Sequence, residues 1–135
     1  MKKLMIIAML LTAGFAFGQE HELNLKFNGF ENQEGSLMIG VYKQANFLQK
    51  PSFAKRVEID GNSVEVNFKN IPEGEYGVSC YQDSNGNSSL DYSSNGMPSE
   101  AWGMSTNPIL KAPPTWDDVK FDLKTDKTLT IKMQK

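Results

Sequence analysis

A chain of 135 residues with sixteen acidic and fourteen basic side chains, one cysteine and one histidine has room for one domain and lacks the residues for several large classes of chemistry. Cys80 alone permits no intrachain disulfide, CxxC zinc site or redox pair, and His21 alone permits neither a histidine-based triad nor a multi-histidine metal site. Beyond Gly18 twelve basic residues face sixteen acidic ones, a net charge of −4 there, which argues against nucleic acid as a partner.

In chain order the first element reads as an export signal. Lys2 and Lys3 are a positive start, Leu4 to Phe15 is an apolar run, and Ala16-Phe17-Gly18 places small residues around a cleavage point before Gln19. The run is shorter than the roughly 20 apolar residues that span a bilayer, and no cysteine near the cleavage point offers a lipid anchor. The expected division is therefore a signal peptide over 1–18 and a single β-sandwich domain over 19–135, exported to a periplasm or secreted, with no membrane span in the mature protein.

Leu23, Leu25 and Phe27 then alternate with Asn24 and Lys26, the period of two of a strand with one wet face. The same alternation recurs at Leu37, Ile39 and Val41; at Val57 and Ile59; at Val64, Val66 and Phe68; at Tyr76, Val78 and Cys80; at Val119, Phe121 and Leu123; and at Leu129, Ile131 and Met133. Asp60-Gly61 has the composition of a tight type I′ hairpin between the third and fourth segments. Asn32 to Gly35, Pro72 to Gly74 and Thr125-Asp126 supply further turns. One helical turn is expected within 47–56 and another at Trp116 to Val119. About seven short strands without a helical layer predict an all-β fold, an antiparallel β-sandwich of prealbumin or immunoglobulin type, with His21 near a loose terminus and Cys80 an inert core residue.

From Gln82 to Asp118 no strand pattern is visible, so one long irregular loop is expected. Its Tyr92, Trp102 and Trp116 carry too much apolar surface for a disordered linker. It opens with Asp83-Ser84-Asn85-Gly86-Asn87-Ser88-Ser89-Leu90-Asp91, which sets oxygen-bearing side chains at alternate positions. Calcium takes six to eight hard oxygen ligands, and Asp83, Asn85, Asn87, the carbonyl of Ser89 and Asp91 form such a set, with Glu100 a distal carboxylate. The helix-loop-helix calcium pattern is not matched, because Ser88 stands where that pattern has glycine and Ser94 where it has glutamate. A hydrolase would draw on Asp83, Asp91 and Glu100 as an acid/base pair, and a carbohydrate- or peptide-binding module would use Tyr92, Trp102 and Trp116 as exposed contacts. The reading preferred on the residues is a non-catalytic binding or accessory module whose loop is organised by a divalent cation, calcium, with no other cofactor.

Four stretches together carry a family pattern: Ile71-Pro72-Glu73-Gly74-Glu75-Tyr76; Asp83-Ser84-Asn85-Gly86-Asn87 with Asp91; Gly96-Met97-Pro98-Ser99-Glu100-Ala101-Trp102-Gly103-Met104-Ser105; and Pro114-Thr115-Trp116-Asp117-Asp118-Val119-Lys120-Phe121. The chain resembles the exported bacterial family called domain of unknown function 2141 over essentially all of its mature length. The resemblance implies an exported β-sandwich with no assigned activity. Members often have glycine after the second asparagine of the acidic loop, and Ser88 departs from that.

Overall fold

Alternating apolar residues can leave water only by pairing strands into sheets that share their apolar faces. A computed structural model describes residues 19–135, and the expected signal segment 1–18 lies outside them. The strands are β1 (Glu20–Asn28), β2 (Ser36–Tyr42), β3 (Phe53–Glu58), β4 (Ser63–Pro72), β5 (Gly74–Asp83), β6 (Trp102–Met104), β7 (Phe121–Leu123) and β8 (Lys127–Lys132), with one short helix, α1 (Trp116–Val119). One sheet has the order β4-β1-β8. The other runs β3-β2-β5-β6, with β7 also paired to β5. The two pack face to face as a β-sandwich, and the backbone groups of Trp102 and Gln134 stitch them at one edge through N–H···O bonds of 2.8 and 2.6 Å.

The core follows the period of two. Leu23, Leu25 and Phe27 of β1, Leu37 and Val41 of β2, Val78 of β5 and Ile131 of β8 are fully enclosed, each burial contributing roughly 1.5–3 kcal/mol. Val66, Phe68, Ile39 and Cys80 complete the layer as expected. The phenol of Tyr76 lies inside it and donates to the carbonyl of Pro72 at 2.6 Å, so its polar end is satisfied.

Local turn chemistry misleads in one place. Asp60-Gly61 joins β3 to β4, but β3 pairs with β2 and β4 with β1, so this turn crosses between sheets and closes no hairpin. Only Gly61 of the pair has positive φ, at +106°. The segment expected to hold a helical turn within 47–56 instead ends in β3, and a single 3-10 turn lies just before it at Gln44–Asn46. Val119 closes α1 and is no strand residue, while Phe121 is half-buried and Leu123 takes the enclosed place. Among the described residues the one parallel pairing is β8 on β1, Leu23 standing beside Lys127 and Phe27 beside Ile131. His21 is no loose end, since it pairs with Ile71 and is buried at an inward position of β1. Finally, β6 lies inside the span read as strandless, so the described residues hold eight strands where about seven were expected.

Candidate functional site

Strand β5 delivers the first acidic residue. Its last position, Asp83, stands opposite Ser36 and is 1% exposed. The preceding Gln82 amide donates to both oxygens offered by Asn32 and to the carbonyl of Glu34 at 2.8–3.2 Å, which binds the 32–35 turn to the end of the strand. Gly35 belongs there because a Cβ would stand 2.0 Å from the carbonyl oxygen of Asp83.

Beyond β5 the chain curls around the Asp83 carboxylate. Oδ1 accepts from the backbone N–H groups of Gly86 and Asn87 at 3.1 and 3.2 Å, and Oδ2 accepts from Ser88 at 2.8 Å. Asn85 and Asn87 each accept from the backbone N–H two residues on, at 3.2 and 3.1 Å, the local turn their side chains favour. Their amide groups both donate to Asp91, that of Asn87 at 2.7 Å. These bonds to the ionised form hold the Asp91 carboxyl below the ordinary aspartate range, Asn87 foremost and then Asn85. Ser89 is exposed, its N–H engaged by Asn87.

Glu100 arrives from the other end of the long connection. It is 7% exposed; Oε2 accepts the Asp91 N–H at 3.4 Å, and Oε1 is enclosed with no hydrogen-bond partner. Burial pushes its carboxyl up, and the negative charges of Asp91 and Asp83 push the same way. Tyr81, whose hydroxyl donates to the carbonyl of Ser88 at 2.9 Å, is raised chiefly by burial and then by Asp83 and Glu100. The donors that meet are therefore Asn85, Asn87, Asp91 and Glu100, while Asp83 braces the backbone behind them. Among the described residues no three His, Cys, Asp or Glu side chains stand together as a ready ligand cluster.

The aromatics divide. Trp116 is buried and packs α1 on β5, its indole N–H donating to Glu75 at 2.7 Å and its ring edge-on to Phe47 at 5.5 Å. It offers no exposed face for stacking. Trp102, on β6, is half-buried, and Tyr92 is 63% exposed at the base of a small turn where it bridges Pro98. Cys80 is enclosed against the Gly103 carbonyl and Met133, and burial pushes its thiol up, as suits an inert core residue. Sequence reasoning missed Tyr81, because a tyrosine in a strand gives no sign that its hydroxyl will hold the next loop.

No curated protein and no solved structure matches this chain. The family model described as an uncharacterized protein conserved in bacteria, DUF2141, matches residues 25–132, a span that takes in all of the strands but the start of β1 together with the acidic loop and Glu100, and the chain belongs to that family.

Proposed function

We propose that the chain is an exported, non-catalytic binding module whose loop from Asp83 to Asp91 holds a divalent cation, calcium. The observation that carries the reading is the enclosed, unpartnered Oε1 of Glu100 beside Asp91. A buried carboxylate oxygen with no donor, next to a second carboxylate, is costly unless a proton or a cation is supplied. Half a turn of the Asn85 and Asn87 amides exchanges their N–H₂ groups for carbonyl oxygens. With Asp91, Glu100 and the carbonyl of Ser89, these supply the oxygen-only set that calcium prefers. Asp83 keeps acceptor capacity beyond its three backbone bonds.

A hydrolytic role for the same carboxylates is less well supported. The Asp83 carboxylate is taken up by three backbone N–H groups and that of Asp91 by the Asn85 and Asn87 amides, which leaves neither free as the base or nucleophile of a glycosidase pair. Export rests on the charge and apolar pattern of Lys2 to Gly18. No helix among the described residues is long and apolar enough to cross a membrane.

Calorimetric titration with calcium, and with magnesium as control, tests the reading. The expected Kd is on the order of 10⁻⁴ to 10⁻³ M, the range of extracellular modules, with magnesium weaker because it demands a smaller octahedral cage. Glu100→Gln is expected to weaken calcium at least about tenfold, since it removes one charged ligand. Absence of heat at millimolar calcium, with hydrogen exchange of residues 83–91 unchanged, counts against the site.

A further inference from the structure

A cleft of about 500 Å³ lies between the acidic loop's continuation and the 110–114 segment, within the size range of small-molecule sites. Strands β5 and β6 contribute Tyr81 and Trp102 to it, the chain after Asp91 contributes Tyr92 and Met97, and the later segment contributes Leu110 and Lys111. Four large hydrophobic side chains are exposed among the described residues, and three of them, Leu48, Tyr92 and Met97, line this one cleft. Such gathering marks a binding surface, since scattered exposed apolar residues need no explanation.

The lining chemistry selects the ligand. A sugar carries a hydroxyl on nearly every carbon and needs a polar partner for most of them, yet the polar side chains here are few. The Tyr81 hydroxyl is already given to the carbonyl of Ser88 at 2.9 Å, which leaves chiefly Ser79, Tyr92 and Lys111. Methionine and leucine walls suit an alkyl chain, because flexible thioethers and branched methyls fit an unbranched hydrocarbon with little loss. Charge fixes the head. Lys111 takes part in none of the ion pairs among the described residues, which are His21 with Asp126, Lys120 with Asp117 and Lys135 with Glu31. Asp91, between the cleft residues Leu90 and Tyr92, disfavours a negative head on the acidic-loop side.

We infer that this cleft binds a single-chain alkyl carboxylate, with the chain against Trp102, Met97 and Leu110 and the head toward Lys111. The inference stands on the cleft and does not require a cation in the acidic loop.

The purified protein is titrated calorimetrically with dodecanoate below its micelle concentration, and with dodecanol, dodecyltrimethylammonium and maltose as comparators. The series is run once in chelator and, with the more soluble octanoate in place of dodecanoate, which calcium precipitates, once in calcium, so that failure of the cation site and failure of the cleft read separately. Saturable one-to-one binding of dodecanoate in chelator is the expected result, with dodecanol about three- to fivefold weaker for want of the exposed ion pair. Met97→Glu should weaken dodecanoate about tenfold or more by placing a charge against the chain. Lys111→Gln should remove the preference over dodecanol. Both positions are exposed, so circular dichroism and melting temperature should stay unchanged. The inference fails if dodecanoate does not saturate, if the cationic amphiphile or maltose binds more tightly, if Met97→Glu binds as well as the parent, or if sedimentation shows a second copy of the chain occupying the cleft.

Discussion

Ser88 has φ +60°, in the left-handed region, where a side chain with Cβ is strained. Its N–H donates to the Asp83 carboxylate at 2.8 Å, and the chain leaves that bond with a backbone turn that glycine adopts freely and serine adopts under strain. Ser88→Gly is expected to stabilise the protein by about 0.5–1 kcal/mol and to tighten calcium binding; an unchanged melting temperature and unchanged calcium affinity would show that the loop does not hold this backbone in solution. Glu100 gives a pH dependence. Its carboxyl is raised in the fold by burial, then by Asp91 and Asp83, so as pH rises through the ordinary glutamate range the unfolded chain gives up its proton first. The native state then binds more protons than the unfolded one, and stability falls until the raised value is passed. Asp91, lowered by its amide partners, acts in the opposite sense below the ordinary aspartate range, where its contribution is lost as pH falls. In chelator the melting temperature should therefore decline from about pH 4 toward neutrality, and Glu100→Gln should flatten that decline. A profile identical in both proteins would place Glu100 outside the linkage.

At the scale of elements, α1 is short enough that packing, not helix propensity, must hold it. Thr115 and Asp118 close its first turn through the Thr115 N–H and hydroxyl, and its buried face sits over Gly77 of β5. A Cβ there would stand 2.8 Å from Val119 and 3.0 Å from Trp116. Gly77→Ala is expected to destabilise by about 1–3 kcal/mol and to red-shift tryptophan emission as Trp116 loses its cover, with the far-ultraviolet β signal kept; unchanged emission would mean that α1 docks elsewhere. The same elements show what the chain discloses by itself. The strands β1, β2, β4 and β5 were legible because each sets three apolar residues at alternate positions, a signal that needs no knowledge of the partner. At three residues β6 is too short to show a period, and it exists because Ser79 to Tyr81 of β5 offer a free edge. Asp60-Gly61 announced a turn correctly, but which strands it joins is decided by distant burial. The spacing of Asp83, Asn85, Asn87 and Asp91 predicted their gathering on one short loop, although it placed Asp83 among the donors when its carboxylate is spent largely on backbone. Whether Trp116 packs or presents was not legible because an indole has the same letter in either case, and the cleft was invisible because three separate segments build it.

Across the whole molecule the acidic loop and the cleft share a stretch of chain, since Leu90 and Tyr92 line the cleft while Asp91 between them faces Asn85, Asn87 and Glu100. A cation that fixes Asp91 fixes one side of the cleft and removes part of the ordering an alkyl chain must otherwise impose. Calcium and dodecanoate should therefore bind with positive linkage. By thermodynamic necessity, the factor by which calcium tightens dodecanoate must equal the factor by which dodecanoate tightens calcium. Because the shared stretch forms only part of the lining, the expected factor is near the lower end of ordinary couplings, about fivefold. A ligand held by the folded state alone raises the melting temperature, so calcium at the proposed site should add about 2.7 kcal/mol of stability at a hundred times its Kd. Because calcium precipitates dodecanoate, the more soluble octanoate stands in for it here, and calorimetry of each ligand with and without saturation by the other measures the coupling directly. Asp91→Ala should abolish the calcium heat and the coupling together, while dodecanoate retains the affinity it shows for the parent protein in chelator. If calcium binds and dodecanoate binds but neither alters the other, the 90–92 stretch is already rigid without the cation, and the two sites act independently.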